Sequence, residues 1–380
     1  MNQDGNVGQI DQLTGLRAFL ALWVVTRHLF HPFENGAFID FGTRFALFDK
    51  GYLGVDGFFI LSGFILAYNY ANGRPTDYRA FIGARFARVY PVHFVTLLGA
   101  IALVFMKQFV LHKHIIGTEQ NTYPALAANV VLLNAWSFKF VTGWNDVAWS
   151  VSAEWFAYVF FPLFVALAPA RNRLLAGVLL IVPAGALAIL EWRSANALSL
   201  PGGLARLIPE FYAGVLLFRL RRGWQFATLP RVLGLAAVGI IALGIVVQRD
   251  TLTVIGLGFL IFALSSDADL VAPLMAFRPV VYLGEISYCL YMVQRFPMEG
   301  LSLARKASAA LAASPSIQLV ALLATLFLVS HWTHRFIELP GRMWLRRRLA
   351  AQHVQPPAEA SHASSSVGGV VRKQGEGAAG

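Results

Sequence analysis

Residues 13–31, LTGLRAFLALWVVTRHLFH, constrain the chain most: an apolar run long enough to begin a membrane crossing that still carries Arg17, Arg27 and His28. Ionisable groups in hydrocarbon are expensive, and inside a span they mark function by default. Arg17 and His28 lie eleven positions apart. At about 100° per residue that is three turns, which returns both side chains to one helical face. The rise between them is roughly 16 Å, about half of a ~30 Å hydrocarbon core. One helix therefore offers a cation near its start and an imidazole near its far end to the same interior.

The remainder is equally apolar. Of 380 residues, 57% are hydrophobic and 13% charged, against about 25% charged in soluble domains. This is the composition of an all-α polytopic membrane protein. The net charge of +11 does not point to nucleic acid, because the cations sit in short loops between apolar runs, as the positive-inside bias produces. The single cysteine, Cys289, excludes an intramolecular disulfide and a Cys-based metal cluster, and no metal is expected. Residues 1–12 are polar and lack Lys and Arg, so no cleavable signal is expected.

Ten spans are expected, at about 13–31, 51–70, 91–111, 151–168, 174–190, 203–220, 230–247, 251–266, 279–297 and 316–336. Both termini then face the cytoplasm, together with the basic loops at Arg74–Arg88, Arg171/Arg173, Arg219–Arg231 and Arg342–Arg348. The run 124–138 is short and interrupted by Asn129 and Asn134. As a full span it would invert every later loop, so it reads as a partial or re-entrant helix lining a protein cavity. The membrane domain is expected over 13–348, after a polar segment 1–12. The Ala/Ser/Gly-rich residues 349–380 cannot bury a core and are expected to be disordered.

Several residues could carry chemistry. His28 suits general-base work near neutral pH, although a histidine bonded within the bundle for packing is the plain alternative. Asp56 and Glu154 are expected at a similar depth, and either carboxylate could orient the imidazole. Arg85 and Arg88 are spaced i, i+3 and share a face. Two guanidinium forks suit a phosphate, and Arg17 at the same depth makes the cluster denser than orientation alone requires. Asp146 and Ser150 read as caps of the following helix. Arg206 and Glu210, spaced i, i+4, read as a mutually neutralising pair. Ser62 could be a nucleophile, but a bond to a backbone carbonyl of its own helix is the safer reading.

Arg17 with His28, GVDGFFILSGFIL at 54–66, ARFARVYP at 84–91, WSVSAE at 149–154, LGEISYCLYMVQ at 283–294 and FIELPGRMW at 336–344 resemble the acyltransferase-3 membrane family, in that order along the chain. The resemblance implies transfer of an acyl group, often acetyl, from acyl-CoA to a carbohydrate or glycolipid hydroxyl at the bacterial cytoplasmic (inner) membrane. It makes His28 the essential histidine, Arg17 its paired basic residue and Arg85 with Arg88 the inner arginine motif. One departure stands out: where members often carry a second histidine, this chain has Gln294.

On this reading the CoA phosphates meet Arg17, Arg85 and Arg88, and the thioester reaches His28. Asn145, Trp149 and Tyr288 are candidate donors to the oxyanion and to the acceptor. The rival class is a multi-span secondary transporter, which also buries charges in interrupted helices. The absent internal repeat and the inner arginine pair favour the enzyme.

Overall fold

The computed structural model describes residues 10–30, 46–71, 77–136, 143–194, 198, 203–222, 231–312 and 314–351. Among them every regular element is helical. The segment before residue 10 and most of the tail lie outside the described residues. The last helix runs on to Ala351, three residues past the expected domain limit.

The principal helices are α1 (Asp11–Phe30), α2 (Leu53–Tyr70), α3 (Tyr78–Phe105), α4 (Tyr123–Val130), α5 (Trp149–Val159), α6 (Phe161–Leu167), α7 (Gly203–Arg221), α8 (Leu233–Val246), α9 (Asp250–Leu264), α10 (Arg278–Glu285), α11 (Ser287–Val293), α12 (Arg295–Ala307) and α13 (Pro315–Thr333). Among the described residues, four helical stretches are long and apolar enough to cross a membrane: Ala46–Tyr70, Tyr78–Val110, Arg173–Arg193 and Pro315–Leu349. The pair Asp146–Val159 and Phe161–Leu167, bent by 61°, makes a fifth if taken as one broken span. Length and composition thus account for fewer crossings than the expected ten. The physical reason is segmentation. The 279–297 stretch breaks into α10, α11 and the start of α12, and α8 and α9 have only 14 and 15 residues. Helix α4 has eight residues, about 12 Å of rise, which is too short to cross.

The core is a tight cluster of α1, α2, α7 and α10 with α11. Close approach depends on glycine. A Cβ on Gly63 of α2 would lie 2.1 Å from the Phe211 carbonyl oxygen of α7, and one on Gly214 of α7 would lie 2.0 Å from that of Ile60. The two backbones therefore touch at matched small residues, as packed membrane helices do. Helix α1 is buried along Leu13, Leu16, Leu20, Val24 and Val25, which places Arg17 and His28 inside the bundle. Large apolar side chains such as Leu174, Ile181, Val246 and Val320 are exposed and make the lipid-facing surface expected of a membrane protein.

Candidate active site

Helices α1, α2, α3, α5 and α11 enclose a cavity with about 870 Å³ of empty space, part of it open. Its wall includes Arg17, Arg85, Arg88, Glu154 and Tyr288, brought together from four helices. Ser62, Ser150, Tyr158 and Tyr291 also line it.

The arginines are fixed from behind. Arg85 lies 5.5 Å over the Tyr70 ring and donates from Nη2 to the Tyr70 hydroxyl at 3.3 Å, while its buried Nε has no hydrogen-bond partner. Arg88 is ion-paired with the fully buried Glu338 and sits 5.8 Å over the Tyr288 ring. Glu338 lies in a π-helical turn, His334–Glu338, a local widening often found at functional sites. Its other oxygen meets the Cys289 thiol at 3.1 Å and His334 Nδ1 at 2.8 Å. The ligating atoms of Cys289, His334 and Glu338 lie within 4.8 Å of one another. That group could hold a metal by distance, but Arg88 already supplies its positive charge.

Glu154 lines the cavity, but it does not share the depth of His28 and cannot orient its ring. Its partner is Ser62, eleven residues along the chain from Gly51 at the level of Arg27, roughly 16 Å of helix. The serine hydroxyl donates to the carboxylate instead of to its own helix backbone, and Tyr158 lies beside both. Arg17 is within electrostatic reach of the same carboxylate.

The structure corrects two pairings and three donor assignments. Asp56 does not meet His28. Its carboxylate is gripped by Arg206, with Nε to Oδ1 at 2.9 Å and a second contact from Nη2 to Oδ2. Arg206 therefore neutralises Asp56 and not Glu210 one turn along, because the fork fits a facing carboxylate bidentately. Asn145 Nδ2 donates to Thr96 Oγ1 at 3.1 Å, and the Trp149 ring lies 5.8 Å beneath Arg206. Neither lines the cavity. Tyr288 does, yet its one hydroxyl proton goes to the Val89 carbonyl at 2.7 Å, so it is not available to an oxyanion.

His28 stands just beyond the cavity. The adjacent Arg27 packs on Gly51, which lies four residues before the cavity residue Val55. One helical turn, roughly 6 Å, thus separates the level of His28 from the cavity's end. The cavity residues of α2 run from Val55 to Leu66, another 16 Å or so of helix. His28 Nδ1 meets Gln294 Oε1 at 2.9 Å. Gln294, Glu338 and the Ser62–Glu154 contact were not foreseen as parts of the site. For Gln294 and Glu338 the sequence signals were the ends of the SYCLYMVQ and FIEL stretches, while Ser62 and Glu154 were each singled out but not as partners.

Comparisons with known proteins show the family to which the chain belongs. The profile described as "Acyltransferase domain", of the acyltransferase-3 family, matches residues 10–335. The acyltransferase MdmB of Streptomyces mycarofaciens is 32% identical over 163 residues, 41% of this chain and 39% of that protein. A Bacillus subtilis protein named "Putative peptidoglycan O-acetyltransferase YrhL" is 27% identical over 190 residues, 46% of this chain and 27% of its own. Protein 2 in the picA locus of Rhizobium radiobacter is 40% identical over 103 residues, 26% of this chain and 47% of its own. The chain spans less than half the length of each of these relatives, and no solved structure matches it. With the profile covering nearly the whole helical core, the chain belongs to the acyltransferase-3 family.

Proposed function

We propose that the protein is an integral membrane O-acyltransferase that moves an acyl group, acetyl in the first instance, from acyl-CoA to a hydroxyl of a carbohydrate. The observation that carries this reading is the course of the cavity. Three arginines from two helices stand in its wall, and it runs along α2 toward the level of His28. Guanidinium forks are suited to the phosphates of a CoA-type donor. An elongated cavity suits its extended arm, and a histidine one turn past the end suits a hydroxyl entering from the other side. Family membership weighs against the transporter alternative. A glycan acceptor agrees with the name of the B. subtilis relative, a putative peptidoglycan O-acetyltransferase. In this reading the protein lies in a bacterial cytoplasmic membrane, and the distribution of Lys and Arg in its loops favours both termini on the cytoplasmic side.

In this reading His28 accepts the proton of the acceptor hydroxyl as its oxygen attacks the thioester carbonyl. A C–O bond forms and the C–S bond breaks. The departing sulfur takes the proton back from the imidazolium, leaving free thiol, acylated sugar and neutral His28. Holding both substrates in one bundle supplies rate through proximity. The test is thiol release by detergent-purified protein given acetyl-CoA with and without a glycan acceptor. Acceptor-dependent release is expected from the wild type and none above background from His28→Ala. Full transfer by folded His28→Ala overturns the assignment.

A further inference from the structure

The amide of Gln294 occupies a position that determines which nitrogen of His28 can act. Gln294 is 1% exposed at the junction of α11 and α12. Its Nε2 donates to the Tyr291 carbonyl at 2.9 Å, and its Oε1 lies 2.9 Å from His28 Nδ1. A backbone carbonyl only accepts, so the NH₂ end of the amide belongs at Tyr291. Rotating the amide by 180° would set two acceptor oxygens against each other there and two donors against a protonated Nδ1. With its orientation set by the main chain, Oε1 is left facing the imidazole, and an amide oxygen can only accept. His28 Nδ1 must then carry the hydrogen, and in the neutral ring Nε2 keeps the lone pair.

We propose that Gln294 is a positioning residue that locks neutral His28 in the Nδ1–H tautomer, making Nε2 the proton-accepting atom of the transfer. This deepens the acyltransferase reading and rests on it. The device differs from a carboxylate partner, which would accept the same hydrogen but also stabilise the imidazolium by charge. It differs from a histidine at this position as well. An imidazole can donate or accept and would leave the tautomer open. An anchored amide orients without adding charge, so the imidazolium formed during transfer is relieved by returning its proton to the leaving sulfur. The anchor also touches the cavity. Tyr291 holds Gln294 with its carbonyl, while its phenol lines the cavity and accepts from Ser150 Oγ at 2.8 Å.

Two measurements test the proposal. Nitrogen-15 spectra of the histidine-labelled protein in detergent, with the His28 ring signals identified by their loss in His28→Ala, report the tautomer in the wild type. The protonated nitrogen of the neutral ring is expected to be Nδ1, and a neutral ring protonated at Nε2, or a ring already charged at neutral pH, overturns the proposal. Steady-state kinetics then separate positioning from packing. Gln294→Leu is expected to lower kcat about 10- to 100-fold, the usual effect of losing an orienting partner, with the KM for acetyl-CoA changed less than about twofold. Gln294→Glu, which can still accept from Nδ1, is expected to recover part of the kcat. Gln294→Lys, which can only donate, is expected to recover none. If His28→Ala is inactive and Gln294→Leu turns over at the wild-type kcat, the positioning role is wrong and the base assignment stands. If His28→Ala is active, the base assignment falls, and with it the role of Nε2, while the spectra still decide the tautomer.

Discussion

Among the described residues, two buried arginine–carboxylate pairs stand in the bundle, and their difference separates scaffold from site. In the Arg206–Asp56 pair the side chains are 3% and 0% exposed, the fork is bidentate, a tryptophan ring closes one face, and neither residue borders the cavity. In the Arg88–Glu338 pair the carboxylate is equally buried, but the arginine is 18% exposed and stands in the cavity wall. The first pair has nothing left to offer a ligand. The second holds a cation from behind and presents it forward. Burial of a charge in a membrane bundle is therefore not itself the mark of function. What matters is whether a donor remains on an open side once the fold has made its own bonds.

The largest effect that would break this comparison concerns the sealed pair. Asp56→Ala removes the carboxylate that the Arg206 fork grips and leaves the buried guanidinium only the less favourably placed Glu210, a change expected to destabilise by up to about 3–5 kcal/mol. The expected outcome is loss of folded, monodisperse protein in detergent and a sharply lowered thermal transition. The double variant Asp56→Leu with Arg206→Leu removes both charges and is expected to recover most of the stability, because a well-packed apolar pair often equals a buried ion pair. Asp56→Ala protein that folds at wild-type yield yet transfers nothing would make Asp56 catalytic after all.

The open pair should respond in binding. Arg88→Lys keeps a cation against the buried Glu338 but loses the planar fork. It is expected to raise the KM for acyl-CoA about 10-fold, equivalent to about 1.4 kcal/mol of lost charge-assisted contact, with the protein still folded. Glu338→Gln keeps an acceptor for Arg88 but removes the charge that holds it. A smaller rise in the same KM is expected, with kcat nearly unchanged. Both are read from initial rates at varied acyl-CoA. A kcat effect without a KM effect in either variant would move Arg88 out of donor binding.

Periodicity carried some of this and could not carry the rest. The shared face of Arg17 and His28, and that of Arg85 and Arg88, were legible because i, i+3 and three-turn spacings are properties of one helix. The arginines and Glu154 do line a single cavity. Partners from different helices were not legible. Asp56 and Arg206 are 150 positions apart, and Arg88 and Glu338 are 250 apart. The i, i+4 rule instead suggested Arg206 with Glu210, and the facing carboxylate won because its geometry is bidentate. Gln294 read as a titrating group gone missing, since a neutral amide leaves no charge signature and its meaning lies in what it faces. The count of ten spans is not matched by the long apolar helices for a related reason. A hydropathy run reports apolar length and says nothing of the breaks at Ile286 and Gln294 that divide α10, α11 and α12.

The smallest expected effect asks whether the cavity itself contains a nucleophile. Ser62 stands in the wall with its hydroxyl donated to Glu154, an arrangement in which a carboxylate could accept a serine proton. The two readings differ in what Ser62→Ala does. If the serine only satisfies Glu154, its loss removes one hydrogen bond to a charged group near an open cavity, about 1.5–3 kcal/mol at most. Water in the cavity can replace part of it, so kcat should stay within about threefold of wild type. If the acyl group rests on Ser62 Oγ before reaching the sugar, the alanine variant is folded and inactive, and the wild type incubated with labelled acetyl-CoA without acceptor retains label on the protein. The first outcome is expected, because His28, and not Glu154, has an orienting partner fixed by the main chain. The second would shift the chemistry 16 Å or so inward along α2, toward the arginines.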